Sequence, residues 1–341
     1  SVKDLDRTTA DLERKLTILT TRKTHHKHRE GFETTLPLMQ NELADMKTVR
    51  SIHTQGLMSM FPFTSADLSH DEGVMIGLNQ ITRSPIILNR FMQPEIDSPN
   101  TAIIGTTGSG KSFFAKLEML RWAYLGKPIV ILDPSAEYTR VCKGVGGANI
   151  SINLDSDDVI NPLDFSNAVR PGHNALNEKI GFLIELVKMM ISAEDGGVPI
   201  DAYSKSLFGN ALKIVYEGYG YSTDDISTQQ AASAEHMPVM SEVVHTLSEI
   251  ARTVRDPEVQ KRIGPINASL ATYVEGFMAP LFNQKTTVDL RSHFINFDYS
   301  GLPRQYLPLS MYIVLEFLRT SYFTAQQQES GINRIIYVDE A

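Results

Sequence analysis

A glycine-rich segment is the feature that most limits what this chain can fold into. It reads Gly105-Thr106-Thr107-Gly108-Ser109-Gly110-Lys111-Ser112, follows the apolar residues 101–104 and precedes a helix-compatible stretch that begins at Phe113. The glycines let the backbone take left-handed turns that point successive N–H groups inward, and the dipole of a following helix favours negative charge there. The sequence therefore predicts the order strand, loop, helix, with phosphate oxygens bound by the loop.

Lys111 and Ser112 are the two side chains that such a loop needs. The Lys111 ammonium is predicted to reach the β- and γ-phosphates, and the Ser112 hydroxyl to ligate a Mg²⁺ ion that bridges them. The other predicted nucleotide-contacting residues are Gly105, Thr106, Thr107, Gly108, Ser109, Gly110 and Phe113. A Gly/Ser-rich turn without a ligand is the alternative, and the strand-loop-helix context weighs against it.

An acidic pair, Asp339-Glu340, follows the apolar residues 335–338. Asp339 is predicted to hold the Mg²⁺ ion, usually through water, and Glu340 to orient and polarise the attacking water. Such a pair after a buried strand is common by itself, but together with a phosphate loop it indicates hydrolysis. The glutamate is typical of ATP-driven motors rather than GTP switches or kinases. ATP and Mg²⁺ are therefore the predicted cofactors, and Lys111 and Glu340 the predicted catalytic residues.

Asp133 ends a second apolar run, residues 127–133, which is predicted to be a buried parallel strand. Open α/β sheets place their ligands at the carboxyl ends of strands, so Asp133 is a candidate contact for the nucleotide or its water. The alternative is that Asp133 caps a helix opened by residues 134–138. The sequence leaves these two interpretations open.

Composition excludes several classes of protein. With 42% hydrophobic and 21% charged residues among 341, the chain has the profile of a globular protein with room for two or three cores. The formal charge of −8 does not match nucleic acid over the whole surface, so DNA contact is possible only locally. Cys142 is the only cysteine, which excludes an internal disulfide and indicates a cytosolic setting. No apolar run approaches the roughly 20 residues of a membrane-spanning helix.

Residue periodicity predicts the elements that precede the loop. Helices are expected at residues 2–19 and 37–46, separated by a polar strand or loop at 22–29 that carries His25, His26 and His28. Two or three strands are expected within residues 52–91, followed by a linker at 93–100. This organisation predicts a first part, residues 1–95, that ends an α+β domain and leads into the nucleotide-binding core.

The rest of the chain alternates between sheet and helix signals. The core is predicted at 96–173 and 283–341, interrupted by an all-helical insertion at 174–282. Strands are expected at 286–290 and 293–298, and a mobile loop at 221–235. The helices predicted from apolar spacing are residues 177–192, 202–216, 238–253, 257–263, 265–277 and 307–322.

From residue 36 to the end, the chain resembles the conjugation ATPases of type IV secretion systems, a family known as VirB-four, TraC, TrbE or CagE. The combination of motifs is much more specific than the phosphate loop alone. The segments that carry the resemblance are residues 60–63, 73–79, 105–116, 130–134 with 137–138, 160–164, 294–298 and 339–340.

The resemblance implies an α/β fold of the P-loop NTPase type, RecA/FtsK/HerA-like, in the class with an additional strand and a catalytic glutamate. It also implies a homo-oligomer, a dimer or hexamer, at the cytoplasmic face of the inner membrane. The implied partners are inner-membrane components of the secretion channel and the coupling ATPase. Family members are longer and carry a sensor and an arginine finger beyond the position of Ala341. We therefore expect a fragment that hydrolyses ATP weakly or not at all by itself.

Two other functions are compatible with these motifs. A DNA translocase or coupling protein of the FtsK or HerA kind shares the core and the acidic pair, although the charge speaks against DNA as the main substrate. A nucleotide-binding assembly scaffold would need the loop but not the water-activating carboxylate of Glu340.

Overall fold

The structure, a computed structural model, describes residues 2–15, 25–37, 40–43, 53–54, 69–92, 96–170, 172–193, 201–254, 256–321 and 333–339. The chain divides into two compact units, residues 1–66 and 67–341. No described helix has the length and apolar character needed to cross a lipid bilayer.

The first unit contains helices α1 (Val2–Lys15) and α2 (His28–Thr35). The prediction of a helix from residue 2 is confirmed as far as 15, and residues 16–19 lie outside the described ranges. The prediction of a polar strand or loop at 22–29 is wrong from His28 onward. An i,i+4 ion pair of 2.8 Å between Arg29 and Glu33 favours the helix there. Of the helix predicted at 37–46, the described residues 40–43 are not helical, and most of the rest is outside the described ranges.

The second unit opens with an antiparallel hairpin of β1 (Val74–Leu78) and β2 (Pro85–Leu88). These are two of the strands predicted within 52–91, whereas the apolar run at 56–63 lies outside the described residues. The hairpin packs beside α3 (Lys111–Tyr124), the helix that follows the glycine-rich loop. The lead-in strands therefore support that helix directly.

The central sheet is entirely parallel. Its strands are β3 (Ile129–Asp133), β4 (Ala148–Ser151), β5 (Phe294–Asp298) and β6 (Ile335–Val338), in the order β4-β5-β3-β6. β3 is fully buried and its side chains alternate between two cores. Ile129 and Ile131 pack towards α3, and Val130 and Leu132 pack towards the larger helical core. The predicted strands at 127–133, 293–298 and 335–338 are confirmed, whereas β4 had not been predicted.

Helices connect successive strands of this sheet. Between β3 and β4 lies the short α4 (Thr139–Gly144), and between β5 and β6 lies α10 (Leu307–Ser321), which confirms the helix predicted at 307–322. Residues 134–138, predicted to open a helix, instead form a turn, and the helix begins only at Thr139. The turn is held by Asp133, as described below.

All described elements between β4 and β5 are helical, as predicted. The longer helices are α5 (Ala175–Ala193), α6 (Ala202–Gly218), α7 (Met240–Thr253) and α8 (Pro257–Val274), and a short α9 (Ala279–Phe282) follows. The two helices predicted at 257–263 and 265–277 are a single helix that runs through Pro265. Burial of Ile263, Ile266 and Leu270 along one face outweighs the hydrogen bond that Pro265 cannot donate.

The polar stretch at 221–235 is anchored rather than open. Gln229 is fully buried and its side-chain amide donates to Asn174 Oδ1 at 3.0 Å and to the Ser222 carbonyl at 2.9 Å. Its Oε1 accepts from the Leu176 N–H at 3.2 Å. The segment predicted as a loop therefore contains two short 3-10 helices, Ile226–Ala231 and Ala234–His236, and the buried Gln229 amide ties it to the start of α5.

Two predicted strands do not form. Residues 101–104 have no sheet partner among the described residues, and Ile104 is 92% exposed. Residues 286–290 make one backbone hydrogen bond, from the Thr287 N–H to the Val159 carbonyl at 2.9 Å, and are otherwise held by hydroxyls and not by a strand ladder. The Thr286 hydroxyl donates to Asp164 at 2.8 Å, and the Thr287 hydroxyl accepts from the Val159 N–H at 2.8 Å. Apolar and β-branched residues favour a strand, but a strand also needs a neighbour in register.

Candidate nucleotide-binding site

The glycine-rich loop adopts the left-handed turns that its glycines predict. Gly108 and Gly110 have φ angles of +79° and +96°, and Gly110 is the N-cap of α3. The loop is closed by a hydrogen bond of 3.1 Å from the Ser109 N–H to the Thr106 carbonyl. A Cβ at Gly105 would lie 2.5 Å from Ser109 Oγ, so a larger residue there would displace the Ser109 side chain.

The N-terminus of α3 opens onto this loop. No side chain caps it, so the first N–H groups of the helix are available to an anion. Lys111 and Ser112 lie in the first turn, and the Lys111 ammonium donates to the Gly105 carbonyl at 3.0 Å. Phe113, the next residue, is 73% exposed. The arrangement provides backbone donors, one cation and one hydroxyl at the same end of a helix.

A cavity of about 1030 Å³ joins the loop to the carboxyl end of β6. Lys111, Ser112 and Asp339 all line it. The backbone N–H of Asp339 donates to the Leu132 carbonyl at 3.1 Å, which extends the β3–β6 pairing by one residue. The fold thus brings together side chains that are more than 220 positions apart in the sequence. The loop residues on the cavity wall are Thr106, Thr107, Gly108, Gly110, Lys111, Ser112 and Phe113.

The donor set suits a magnesium ion. Mg²⁺ prefers oxygen ligands and is commonly held by one or two protein groups together with substrate phosphates. The Ser112 hydroxyl and the Asp339 carboxylate are such groups, and both face the cavity. The described part of the chain contains no cluster of three or more His, Cys, Asp or Glu side chains that would hold a metal by itself.

Asp133 holds the turn that precedes α4 and does not cap the helix itself, because α4 begins at Thr139 with Tyr138 as its N-cap and has no side-chain cap. The Asp133 carboxylate is completely buried and accepts backbone N–H bonds from Ser135 at 3.3 Å, Glu137 at 3.0 Å and Tyr138 at 2.9 Å. The Asn296 side-chain amide lies 3.4 Å from the same carboxylate. Asp133 is not among the residues that line the cavity. It fixes the turn after β3, and the nucleotide-contact alternative gains no support from this geometry.

Glu340, the predicted catalytic base, lies outside the described residues. Its neighbour Asp339 is described and enters the cavity directly after β6. The role of Glu340 remains a prediction from its place in the acidic pair.

The cavity wall contains polar groups that the sequence analysis did not single out. Arg90, just after β2, forms an ion pair of 2.9 Å with Glu118 on α3, and these side chains are 20% and 4% exposed. Tyr337 on β6 lines the same cavity, and burial, with the nearby charge of Glu118, raises the pKa of its phenol well above the usual range. The three residues connect the hairpin, the loop helix and β6. No local pattern could have identified them, because each contact joins distant parts of the sequence.

The fold and the site together define a P-loop NTPase: a parallel sheet, a glycine-rich loop at the N-terminus of a helix, and an aspartate after a neighbouring strand. Residues 95–264 match the family model described as "Helicase HerA, central domain". No curated protein matches the sequence.

Among solved structures, the chain is similar to VirB4 of Thermoanaerobacter pseudethanolicus, with a TM-score of 0.69 and 22% identity. The match covers 81% of this chain and 69% of VirB4. The bacterial conjugative coupling protein TrwB matches at a TM-score of 0.39 and 12% identity, over 69% of this chain and 53% of TrwB. The likeness to VirB4 confirms the predicted fold class and, at the level of fold, the predicted resemblance to type IV secretion ATPases.

Proposed function

We propose that this chain binds ATP with Mg²⁺ and hydrolyses it as a motor subunit of a type IV secretion or conjugation apparatus. The observation that carries the proposal is the shared cavity, which the phosphate loop and Asp339 both line. A loop alone would support phosphate binding, whereas a loop that shares a cavity with a carboxylate supports binding of a metal–triphosphate complex. The VirB4-like fold supports the choice of a secretion motor.

Each residue has a distinct role in this proposal. The first N–H groups of α3 bind the phosphates, and Lys111 exchanges the Gly105 carbonyl for the β- and γ-phosphate oxygens. Ser112 and Asp339 would hold Mg²⁺, which supplies positive charge against the negative charge that develops during phosphoryl transfer. Glu340 accepts a proton from the attacking water and orients it.

The direct test is equilibrium binding of a fluorescent ATP analogue, followed by single-turnover hydrolysis. Lys111→Ala should weaken binding and turnover, whereas Glu340→Gln should leave binding intact and abolish turnover. Lys127→Ala is the matched control, because Lys127 lies beyond the opposite end of α3 and does not line the cavity. Wild-type affinity in Lys111→Ala would contradict the site, and normal turnover in Glu340→Gln would contradict the proposed base.

The match to the HerA central domain favours one further candidate, a DNA translocase or coupling protein. It can be separated from the secretion motor by measuring turnover and binding with single- and double-stranded DNA at several salt concentrations. DNA-stimulated turnover with a steep salt dependence would favour the translocase. We expect neither, because the chain carries a net charge of −8.

The proposed assembly is a homo-oligomer, a dimer or hexamer, peripheral at the cytoplasmic face of the cell membrane. Its proposed partners are inner-membrane components of the secretion channel and the coupling ATPase. Light scattering with and without ATP would test the oligomer. A protein that remains monomeric both without ATP and at ATP concentrations well above its dissociation constant would argue against the oligomer.

A further inference from the structure

Glu137 adds a carboxylate to the wall of the cavity that the phosphate loop and Asp339 also line. Its side chain is 39% exposed. The Glu118 carboxylate on the same wall is only 4% exposed and is paired with Arg90, so it is not available to a ligand. A carboxylate repels a triphosphate, which means that phosphate binding by itself does not explain the position of Glu137.

The turn that carries Glu137 is fixed from the end of β3. The Glu137 N–H donates to Asp133 Oδ1 at 3.0 Å, and the Tyr138 N–H donates to the other carboxylate oxygen at 2.9 Å. Ala136, inside the same turn, has a φ angle of +56°, a conformation that non-glycine residues rarely adopt. Such conformations persist where the surrounding structure holds them, and they concentrate at functional sites. The main chain of Glu137 is therefore held in place beside the cavity.

The Glu137 side chain is directed towards α3 by an ion pair. The Lys116 ammonium lies 3.4 Å from Glu137 Oε2 and 5.0 Å from the centre of the Tyr138 ring. Lys116 follows Ser112 by four positions, so the two side chains are neighbours on one face of the helix. Helical side chains lean towards the N-terminus, which brings the Lys116 ammonium towards the turn that contains Ser112. Glu137 therefore lies beside the face of α3 that carries the proposed Mg²⁺ ligand.

We propose that Glu137 is a positioning residue for Mg²⁺, and that its carboxylate accepts hydrogen bonds from water molecules that the ion retains. Mg²⁺ usually keeps several waters when one or two protein groups and phosphates bind it. The inference rests on the proposed function, because it assumes that Ser112 and Asp339 hold the ion. The Lys116 ammonium offsets part of the repulsion between Glu137 and the triphosphate. The loss of a group that orients metal ligands typically lowers metal affinity by about 10-fold or more.

The test is Glu137→Ala, with the dissociation constant of a fluorescent ATP analogue measured over a range of Mg²⁺ concentrations and in EDTA. We expect the variant to need about 10-fold more Mg²⁺ for half of the metal-dependent tightening. In EDTA the variant should bind the analogue at least as tightly as the wild type, because a negative charge near the phosphates has been removed. A general defect of the phosphate loop would instead weaken binding in both conditions.

Lys116→Met is the matched control, because it breaks the same ion pair from the other side and keeps the Glu137 carboxylate. Its Mg²⁺ requirement should be no greater than that of the wild type, since the carboxylate remains and is no longer partly neutralised. In EDTA it should bind the analogue more weakly than the wild type, because the carboxylate then repels the phosphates more strongly. The two variants should therefore change metal-free binding in opposite directions. Circular dichroism melting confirms that each variant folds.

The possible results separate this inference from the proposed function. A wild-type Mg²⁺ dependence in Glu137→Ala would overturn the role of Glu137 and leave the proposed metal site standing. If single-turnover hydrolysis were lost in that variant at the same time, Glu137 rather than Glu340 would be the residue that activates water. An equal increase of the Mg²⁺ requirement in Glu137→Ala and Lys116→Met would assign the effect to the ion pair and would also overturn the inference. A wild-type protein that binds no ATP analogue, or binds it without regard to Mg²⁺, would overturn the proposed metal site itself.

Discussion

The ammonium group of Lys111 donates a 3.0 Å hydrogen bond to the carbonyl oxygen of Gly105, across the mouth of the phosphate loop. The lysine and the first glycine of the motif are therefore held together before any ligand binds. The contact keeps the cation over the space that the phosphates would occupy. When a phosphate binds, the Lys111 ammonium exchanges the Gly105 carbonyl for a phosphate oxygen. Because the side chain is already ordered, phosphate binding costs less conformational entropy.

Gly105→Ala should weaken nucleotide binding more than it weakens the fold. The new Cβ would meet Ser109 Oγ at 2.5 Å and Lys111 Cγ at 3.2 Å, both of them atoms of the site. Displacing the Lys111 ammonium costs a charge-assisted bond, so we expect about a 10-fold loss of ATP affinity. Titration with a fluorescent ATP analogue measures it. Adding Ser109→Gly removes the closest clash and should recover part of the lost ATP affinity. If the double variant binds ATP as weakly as Gly105→Ala, the clash with Ser109 is not the cause of the loss.

Gly110→Ala should lower stability through the backbone. Gly110 has a φ of +96° with open space around it, so the penalty comes from conformation rather than contact. A left-handed residue with a Cβ costs about 1–2 kcal/mol, and thermal unfolding without nucleotide should show this loss. Gly181→Ala is the control, because Gly181 lies inside α5 with nothing within 4 Å of a new Cβ. That substitution should stabilise the protein by about 0.5–1 kcal/mol. A similar loss in both variants would contradict the explanation.

Glu118→Gln should destabilise the core strongly. The change removes the negative charge that pairs with Arg90, and the Glu118 side chain is almost completely buried. Breaking such a pair from one side costs about 3 kcal/mol, because the remaining charge keeps its desolvation penalty. Urea unfolding gives the value.

The double variant Arg90→Met with Glu118→Met should regain most of the lost stability, since a buried ion pair is often replaceable by apolar side chains. Glu185→Gln is the control: Glu185 pairs with Lys188 and Lys205 on the surface, and its loss should be barely measurable. If the double variant were as unstable as Glu118→Gln, the hydrogen bonds of the pair rather than its charge would be responsible.

Sequence reasoning succeeded where the information is local. The loop, its helix and β3 follow from glycine spacing and from apolar runs of the right length, and the helical insertion follows from 3.6-residue periodicity. It failed at residues 101–104 and 286–290, where composition indicated strands but neither segment belongs to a sheet of the described residues. The hydrogen bond from Thr286 to Asp164 joins residues 122 positions apart, and no local sequence pattern predicts such a contact.

The candidate site also contains residues that local sequence motifs predict and residues that only the packing of distant segments brings together. Lys111 and Ser112 were predictable from motif spacing, and so was Asp339 once the loop had been found. The ion pair of Arg90 and Glu118 could not be predicted, because it forms only when the hairpin packs against α3. For Asp133 the sequence left two alternatives, and the structure supports neither directly: its carboxylate accepts three backbone N–H bonds within the turn before α4, whose N-cap is Tyr138.

Lys179 should make stability depend on pH. Its side chain is 4% exposed, between α5 and α10, with the ammonium 4.9 Å from the centre of the Phe182 ring. Burial lowers the pKa of Lys179 from its ordinary value of 10.5 to about 8, despite the nearby carboxylates of Glu316 and Asp164. Between these two values the unfolded chain binds more protons than the folded one, so stability must rise as pH increases through this window. Urea unfolding at pH 7, 8, 9 and 10 measures the rise.

Lys179→Met provides the comparison. Without the ammonium, the rise from pH 8 towards pH 10 should disappear, and the variant should be at least as stable as the wild type at pH 7, where the buried charge costs most. The series should stop near pH 10, because burial raises the pKa of Tyr216 and Tyr299 above their usual range, and these phenols lower stability as pH rises further. A rise of equal size in Lys179→Met would assign the effect to other groups.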